Sequence, residues 1–259
     1  MAKLVPLIDR EMYERLDALR AEMRAARVGQ VARVFVPVGV EPNASAPSPA
    51  PRVLVVGRAA RDWAAPSLGT FDGSARGAAD CVRDYLQNGW TPFWQFPRAI
   101  LRQTLAALGI EAADGELHGF FGWSELAKLG DRWSNPSDES LAIQKRLCVQ
   151  ALRSEIKRFK PTAVVVTTGD YAKQEIMEPV FGVEAEWHFD TPDKDRIAYR
   201  FHDELKTLVV WTNHPERRGM VKGERAIVQA FAAKLIAGAM KGEELPPWRH
   251  PTDIMTGPM

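Results

Sequence analysis

The segment 207–220, TLVVWTNHPERRGM, places a histidine, a proline and two arginines directly behind a short apolar run. His214 in that setting can donate a hydrogen bond to an oxygen that gains negative charge. Pro215 fixes the backbone exit behind it, and Arg217 and Arg218 can neutralise phosphates. The same residues also read as a histidine capping loop carbonyls beside two solvated arginines. Three further stretches share the form of an apolar run that gives way to polar or small residues: VLVVGRAARDW from Val53, FFGWSELAKLG from Phe120 and AVVVTTGDYAKQ from Ala163.

Other chemistries lack their residues. GRAARDW has none of the later glycines that let a backbone approach a pyrophosphate, and there is no glycine-lysine phosphate loop. No G-x-S-x-G turn presents a nucleophile; Ser124 in GWSEL lacks the following glycine. The five histidines, 118, 188, 202, 214 and 250, show no paired ligand spacing. Cys81 and Cys148 stand alone in helix-like sequence and read as small buried groups. Neither a cofactor nor a metal is expected.

The elements that must position these groups follow from periodicity. The runs beginning at Val53, Ala163 and Leu208 are continuously apolar and rich in β-branched residues, as strands buried on both faces are. LHGFFGWSEL from Leu117 is read as a further core strand. Helices are predicted around 78–87, 97–108, 141–159 and 224–240, with a short one after Asp170 as N-cap. The segment 184–202 reads as a hairpin turning at Thr191 to Asp195. Strands alternating with helices predict an α/β fold, a mostly parallel sheet with helices on both faces. Ligands gather beyond the carboxyl ends of such strands, which singles out residues 57–63, 123–128, 167–171 and 213–218.

Residues 8–26 predict an amphipathic helix with Ile8, Met12, Leu16, Leu19 and Met23 on one stripe. EPNASAPSPAP from Glu41 excludes regular structure. The expected organisation is therefore an N-terminal helix and linker over 1–50, an α/β domain over 51–240 and an irregular tail over 241–259. The 259 residues carry a formal net charge of +1 and are 46% hydrophobic. A nucleic-acid partner would thus need a local basic patch. No apolar run reaches the ~20 residues of a membrane helix; a cytoplasmic setting is expected, and the oligomeric state is not legible.

Taken in order, VLVVGRAARDW, FFGWSELAKLG, AVVVTTGDYAKQ and VVWTNHPERRG resemble the uracil-DNA glycosylase superfamily over roughly Pro51 to Met240. The resemblance implies a three-layer α/β/α fold around a four-stranded parallel sheet. It implies hydrolysis of the N-glycosidic bond of a base flipped out of DNA, with His214 stabilising the departing base and Asn213 beside it. Gly57, Arg58, Trp63 and Phe71 would line the base pocket, and Arg217 and Arg218 would meet the DNA backbone.

The sequence departs from the pattern at two positions. The polar residue that handles water soon after Gly57 is replaced by alanine or arginine, leaving Asp62 as the nearby acid; it serves as base, caps a helix, or pairs with Arg58 or Arg61. Glu125 stands where the family carries a base-reading asparagine. An ionised glutamate only accepts, so it suits an amino-bearing edge and repels a carbonyl, unless a raised pKa holds a proton on it. Alternatively Glu125 faces solvent or pairs with Lys128. The reading is an enzyme if the acid is in place, or a nucleobase- or nucleic-acid-binding module on the same fold if not.

Overall fold

The computed structural model describes residues 2–41, 50–59, 69–132, 134–183, 188–190, 197–216 and 222–244. Asp62, Trp63, Arg217 and Arg218, the hairpin turn, most of the proline-rich linker and the tail from 245 lie outside them. In chain order the elements are β1 (Leu4–Pro6), α1 (Arg10–Ala25), β2 (Val31–Val34), β3 (Val38–Val40), β4 (Val53–Ala59), α2 (Phe71–Asn88) and α3 (Pro92–Ala107). They continue with β5 (Phe121–Ala127), β6 (Leu129–Asp131), α4 (Asp138–Phe159), β7 (Ala163–Val166), α5 (Glu178–Phe181), β8 (His188–Asp190), β9 (Ile197–His202), β10 (Thr207–Thr212) and α6 (Lys222–Lys241).

One eight-stranded sheet dominates, in the order β1-β3-β5-β4-β7-β10-β9-β8. Its central strands β5, β4, β7 and β10 are parallel, with Val55 opposite both Trp123 and Val165 and Val210 opposite Val165. Every other pairing is antiparallel. The four-stranded parallel unit is therefore the middle of a wider sheet. Val53–Val56 and Ala163–Val166 are buried throughout, as strands covered on both faces must be. Alternation along β5 shows the two covers: Trp123 packs against Trp94 of α3 with ring centroids 5.1 Å apart, while the Ser124 hydroxyl donates to Glu155 of α4.

The first forty residues are not the appendage that the sequence suggests. β1 and β3 lengthen the main sheet on the β5 side. Leu16 and Met23 of α1 bury in a cluster with Phe71, Leu129 and Ala151, because the helix's apolar stripe finds α4 and the small β2–β6 sheet. Ile143 and Ile227 are exposed at 40% and 64%, while the buried face of α4 carries Gln144, Cys148 and Glu155 beside Leu152 and Ile156, and that of α6 carries Val228, Ala232 and Ile236. Two finer expectations also change. The segment after β7 opens in a π-type turn over Lys173–Met177 whose cap is Ala172 in left-handed conformation, not Asp170. The strand starting at Phe121 runs on through Ala127, so Trp123–Ala127 is strand and not loop.

Chain order explains where a crevice forms. From β4 the chain steps to β5 on one side, then crosses back over β4 to β7 and on to β10. The strand order reverses between β4 and β7, which opens a gap at their carboxyl ends.

Candidate functional site

Arg58 occupies that gap. It leaves β4 next to Gly57, its Nε donates to the Thr168 carbonyl at 3.0 Å, and its guanidinium lies 5.9 Å from the centre of the Tyr171 ring. Burial pushes the Tyr171 phenol up, with Cys148 and Glu125 adding to the effect. Around Arg58 is a pocket of about 90 Å³ lined by Ala59, Phe93, Glu125, Asn135, His214 and Glu216. Glu125 and His214, read as site residues from their strand ends, thus share one hollow, although two strands, β4 and β7, separate β5 from β10 in the sheet order.

Glu125 is 3% exposed. The Trp123 indole, two residues back on the same strand face, donates its Nε1–H to Oε1 at 2.9 Å. Oε2 is buried and has no hydrogen-bond partner among the described residues. Burial therefore dominates, and raises the carboxyl from 4.5 to about 8 against the opposing pull of the Trp123 hydrogen bond and the Lys128 charge. The shift favours the neutral acid at neutral pH. In that form Oε1 is used as acceptor and the carboxyl has a proton to donate.

Gly57 makes this placement possible. It faces Glu125 across the β4–β5 pairing, and a Cβ built on it would lie 2.3 Å from Oε2 and 2.9 Å from the carboxyl carbon. Only glycine lets the two strands hold a carboxyl group at that point. The expected pairing of Glu125 with Lys128 is replaced by another arrangement. Lys128, fully buried, forms an ion pair with Glu155 at 2.9 Å, donates to Ser124 Oγ at 2.8 Å, and also donates to the backbone carbonyl of Glu125. Ser124 is consumed in that network on the far face of β5 and is no nucleophile.

His214 follows β10 by two residues and is half-buried. Its ring lies parallel to that of Phe93, centroids 5.9 Å apart and planes 19° apart. The backbone N–H of Glu216 donates to Nδ1 at 3.2 Å across the buried Pro215. That bond needs a lone pair on Nδ1, so the proton of the neutral ring sits on Nε2. Both His214 and Glu125 line the pocket, and in its neutral form each carries one donor, His214 on Nε2 and Glu125 on its carboxyl group.

Asn213 is half-buried beside His214 but does not line the pocket; the Thr212 hydroxyl donates to its carbonyl at 3.0 Å. Phe71 is a correction. As the first residue of α2 it is turned to α1, edge-on to Tyr13 at 5.6 Å and under the Arg10 guanidinium at 5.0 Å. Phe93 takes the aromatic place instead. Four lining residues, Ala59, Phe93, Asn135 and Glu216, were not read as site residues from sequence. Glu216 alone had a signal, as the acid between His214 and the two arginines.

Among the described residues no group of three or more His, Cys, Asp or Glu could hold a metal ion. No helix there is long and apolar enough to cross a membrane. Fold and site together define an α/β protein with a polar pocket at the carboxyl end of a parallel strand core. Compared with known proteins, the chain matches no family model and no curated sequence.

Proposed function

We propose that the chain is a divergent uracil-DNA glycosylase-like protein that hydrolyses the N-glycosidic bond of a deaminated base flipped out of DNA. The observation that carries this reading is the convergence of His214 and the buried carboxyl of Glu125 on one pocket at the strand ends; both are read as neutral donors. As the glycosidic bond breaks, the bonding electrons pass to the base and charge gathers on its carbonyl oxygen. A fixed imidazole N–H stabilises that oxygen without first having to lose a proton. The Glu125 proton reads a second carbonyl. A donor aimed at this edge accepts the oxygen left by deamination and rejects the amino group of an intact cytosine or adenine. Phe93 supports the histidine ring from behind. Water attacks the sugar carbon; Asp62, from the resemblance, and Glu216, at the pocket, are the carboxylates available to take its proton.

The test uses single- and double-stranded oligonucleotides carrying uracil, hypoxanthine, xanthine or ethenocytosine, incubated with the full chain and then treated with alkali. Cleavage at a deaminated base, lost in His214→Ala and kept in Glu125→Gln, supports excision. Salt-sensitive DNA binding without cleavage marks a binding module on this scaffold. Neither cleavage nor binding ends the proposal.

A further inference from the structure

A second hollow, of about 560 Å³, is lined by Arg20, Arg24, Arg27, Arg33, Arg132 and Gln30, among others. No carboxylate is among its described lining residues. In a chain whose formal net charge is +1, five arginines around one concavity make a strong local positive field.

Three elements assemble it. Arg20 and Arg24 lie four residues apart on α1 and so share a face, and Arg27 follows just beyond its C-terminal end. Arg33 comes from β2 and Arg132 follows β6, and those two strands are paired. Arg20 is partly committed, to Asp17 at 2.8 Å. Asp131 sits at the rim, where its Oδ2 accepts the Gln30 N–H at 3.3 Å. Arg24, Arg27 and Arg132 are exposed.

Arg27 gives a separate indication. The bonds Arg27 N–H to Arg24 O at 3.1 Å and Val28 N–H to Met23 O at 2.9 Å close α1 in a Schellman motif. Arg27 therefore occupies the left-handed position, φ 59°, that glycine favours. The fold accepts a strained backbone there and keeps a cation at the mouth of the hollow.

We propose that this arginine hollow binds consecutive phosphate groups, and that the backbone of a nucleic-acid strand supplies them. Location favours that source. Arg132 is three residues before Asn135, which lines the His214 pocket, and three residues of chain span at most about 11 Å. A strand whose base enters the pocket thus passes its neighbouring phosphates to the arginines. That continuity rests on the excision reading; the anion site does not.

The experiment titrates the full chain with a short fluorescein-labelled oligodeoxycytidylate over a salt series, with inorganic tripolyphosphate as competitor. Oligodeoxycytidylate carries the amino edge that the excision reading has the pocket reject, so the result is independent of the cleavage assay. Binding that weakens with salt and is displaced by tripolyphosphate is expected. Arg24→Gln with Arg27→Gln should weaken it on the order of tenfold and flatten the logarithmic salt slope by about 1.4, two contacts at about 0.7 each. Arg27→Gly should raise the melting temperature and still weaken binding, a pair of effects that a merely structural arginine would not give. Tripolyphosphate binding that depends on these arginines, without oligonucleotide binding, keeps the anion site but overturns the nucleic-acid source. Equal binding by parent and variants, or no binding of either probe at low salt, overturns the proposal entirely.

Discussion

Glu125 and Gly57 constrain one another, and each constraint has a measurable side. The Glu125 carboxyl has its midpoint near 8 in the fold against 4.5 in the solvated group. Between those values the folded chain holds a proton that the unfolded chain has released. Stability contributed by the neutral acid is therefore full below 4.5 and declines as pH rises, the loss being complete above about 8. Glu125→Gln keeps an acceptor for Trp123 and a donor for the pocket but has no proton to lose. Its stability relative to the parent should rise by on the order of 3 kcal/mol between about pH 5 and pH 8, read by urea denaturation at each pH. If the excision reading holds, parent activity falls above pH 8 and the glutamine variant's does not. Gly57→Ala drives a methyl group into the same carboxyl and should cost about 1–3 kcal/mol. Adding Glu125→Ala should recover part of that loss, a coupling that a double-mutant cycle isolates. His214 and Glu125 were legible in sequence because each ends an apolar run. Phe93 and Asn135 were not, since a helix and a loop far along the chain deliver them across the sheet. Phe71 misled because sequence proximity to Gly57 says nothing about which way α2 turns its first residue.

Among the elements, β5 and α4 are joined by buried polar chemistry rather than by apolar contact alone. Lys128 and Glu155, both fully buried, form an ion pair, with Ser124 and the Glu125 carbonyl also accepting from the lysine. Beside them the Gln144 amide accepts from Leu129 N–H at 3.0 Å and donates to its carbonyl at 2.9 Å, taking the place of a neighbouring strand for β6. Removing one charge strands the other in a low-dielectric interior. Lys128→Met and Glu155→Leu should each cost about 3–5 kcal/mol, whereas the double variant should cost much less than their sum. Equilibrium denaturation of the three proteins checks this. The network was illegible because a lysine and a glutamate twenty-seven positions apart carry no periodic signal, and a charged residue reads as exposed by default. On α4, Gln144 and Glu155 are buried while Ile143 is 40% exposed. The strands themselves were easy to read, since Val53–Val56 and Ala163–Val166 are uninterrupted β-branched and apolar runs.

At the scale of the whole molecule, the parallel core depends on a segment that composition alone sets apart from it. β3 covers the edge of β5, pairing Val38 with Trp123, and Phe35 packs on the Trp123 ring with centroids 4.7 Å apart. The indole held by Phe35 on one side and Trp94 on the other is the one that fixes Glu125. The N-terminal residues therefore buttress the pocket from behind, while their arginines form a second concavity at its flank. The proline-rich linker concealed this in sequence, because a break in regular structure looks the same whether the chain leaves a domain or returns to it. A chain shortened to begin at Pro51 should consequently lose more than an accessory helix. It would expose the β5 edge to pairing with other chains and uncover the apolar surface of Phe71, Leu129 and Ala151 now closed by α1. Its expected behaviour is aggregation, or a collapsed state with far-UV dichroism retained and near-UV tryptophan signals lost. A truncated protein that melts cooperatively and keeps its near-UV spectrum would instead restore the 51–240 unit as an independent domain. It would also separate Glu125's position from the N-terminal strands.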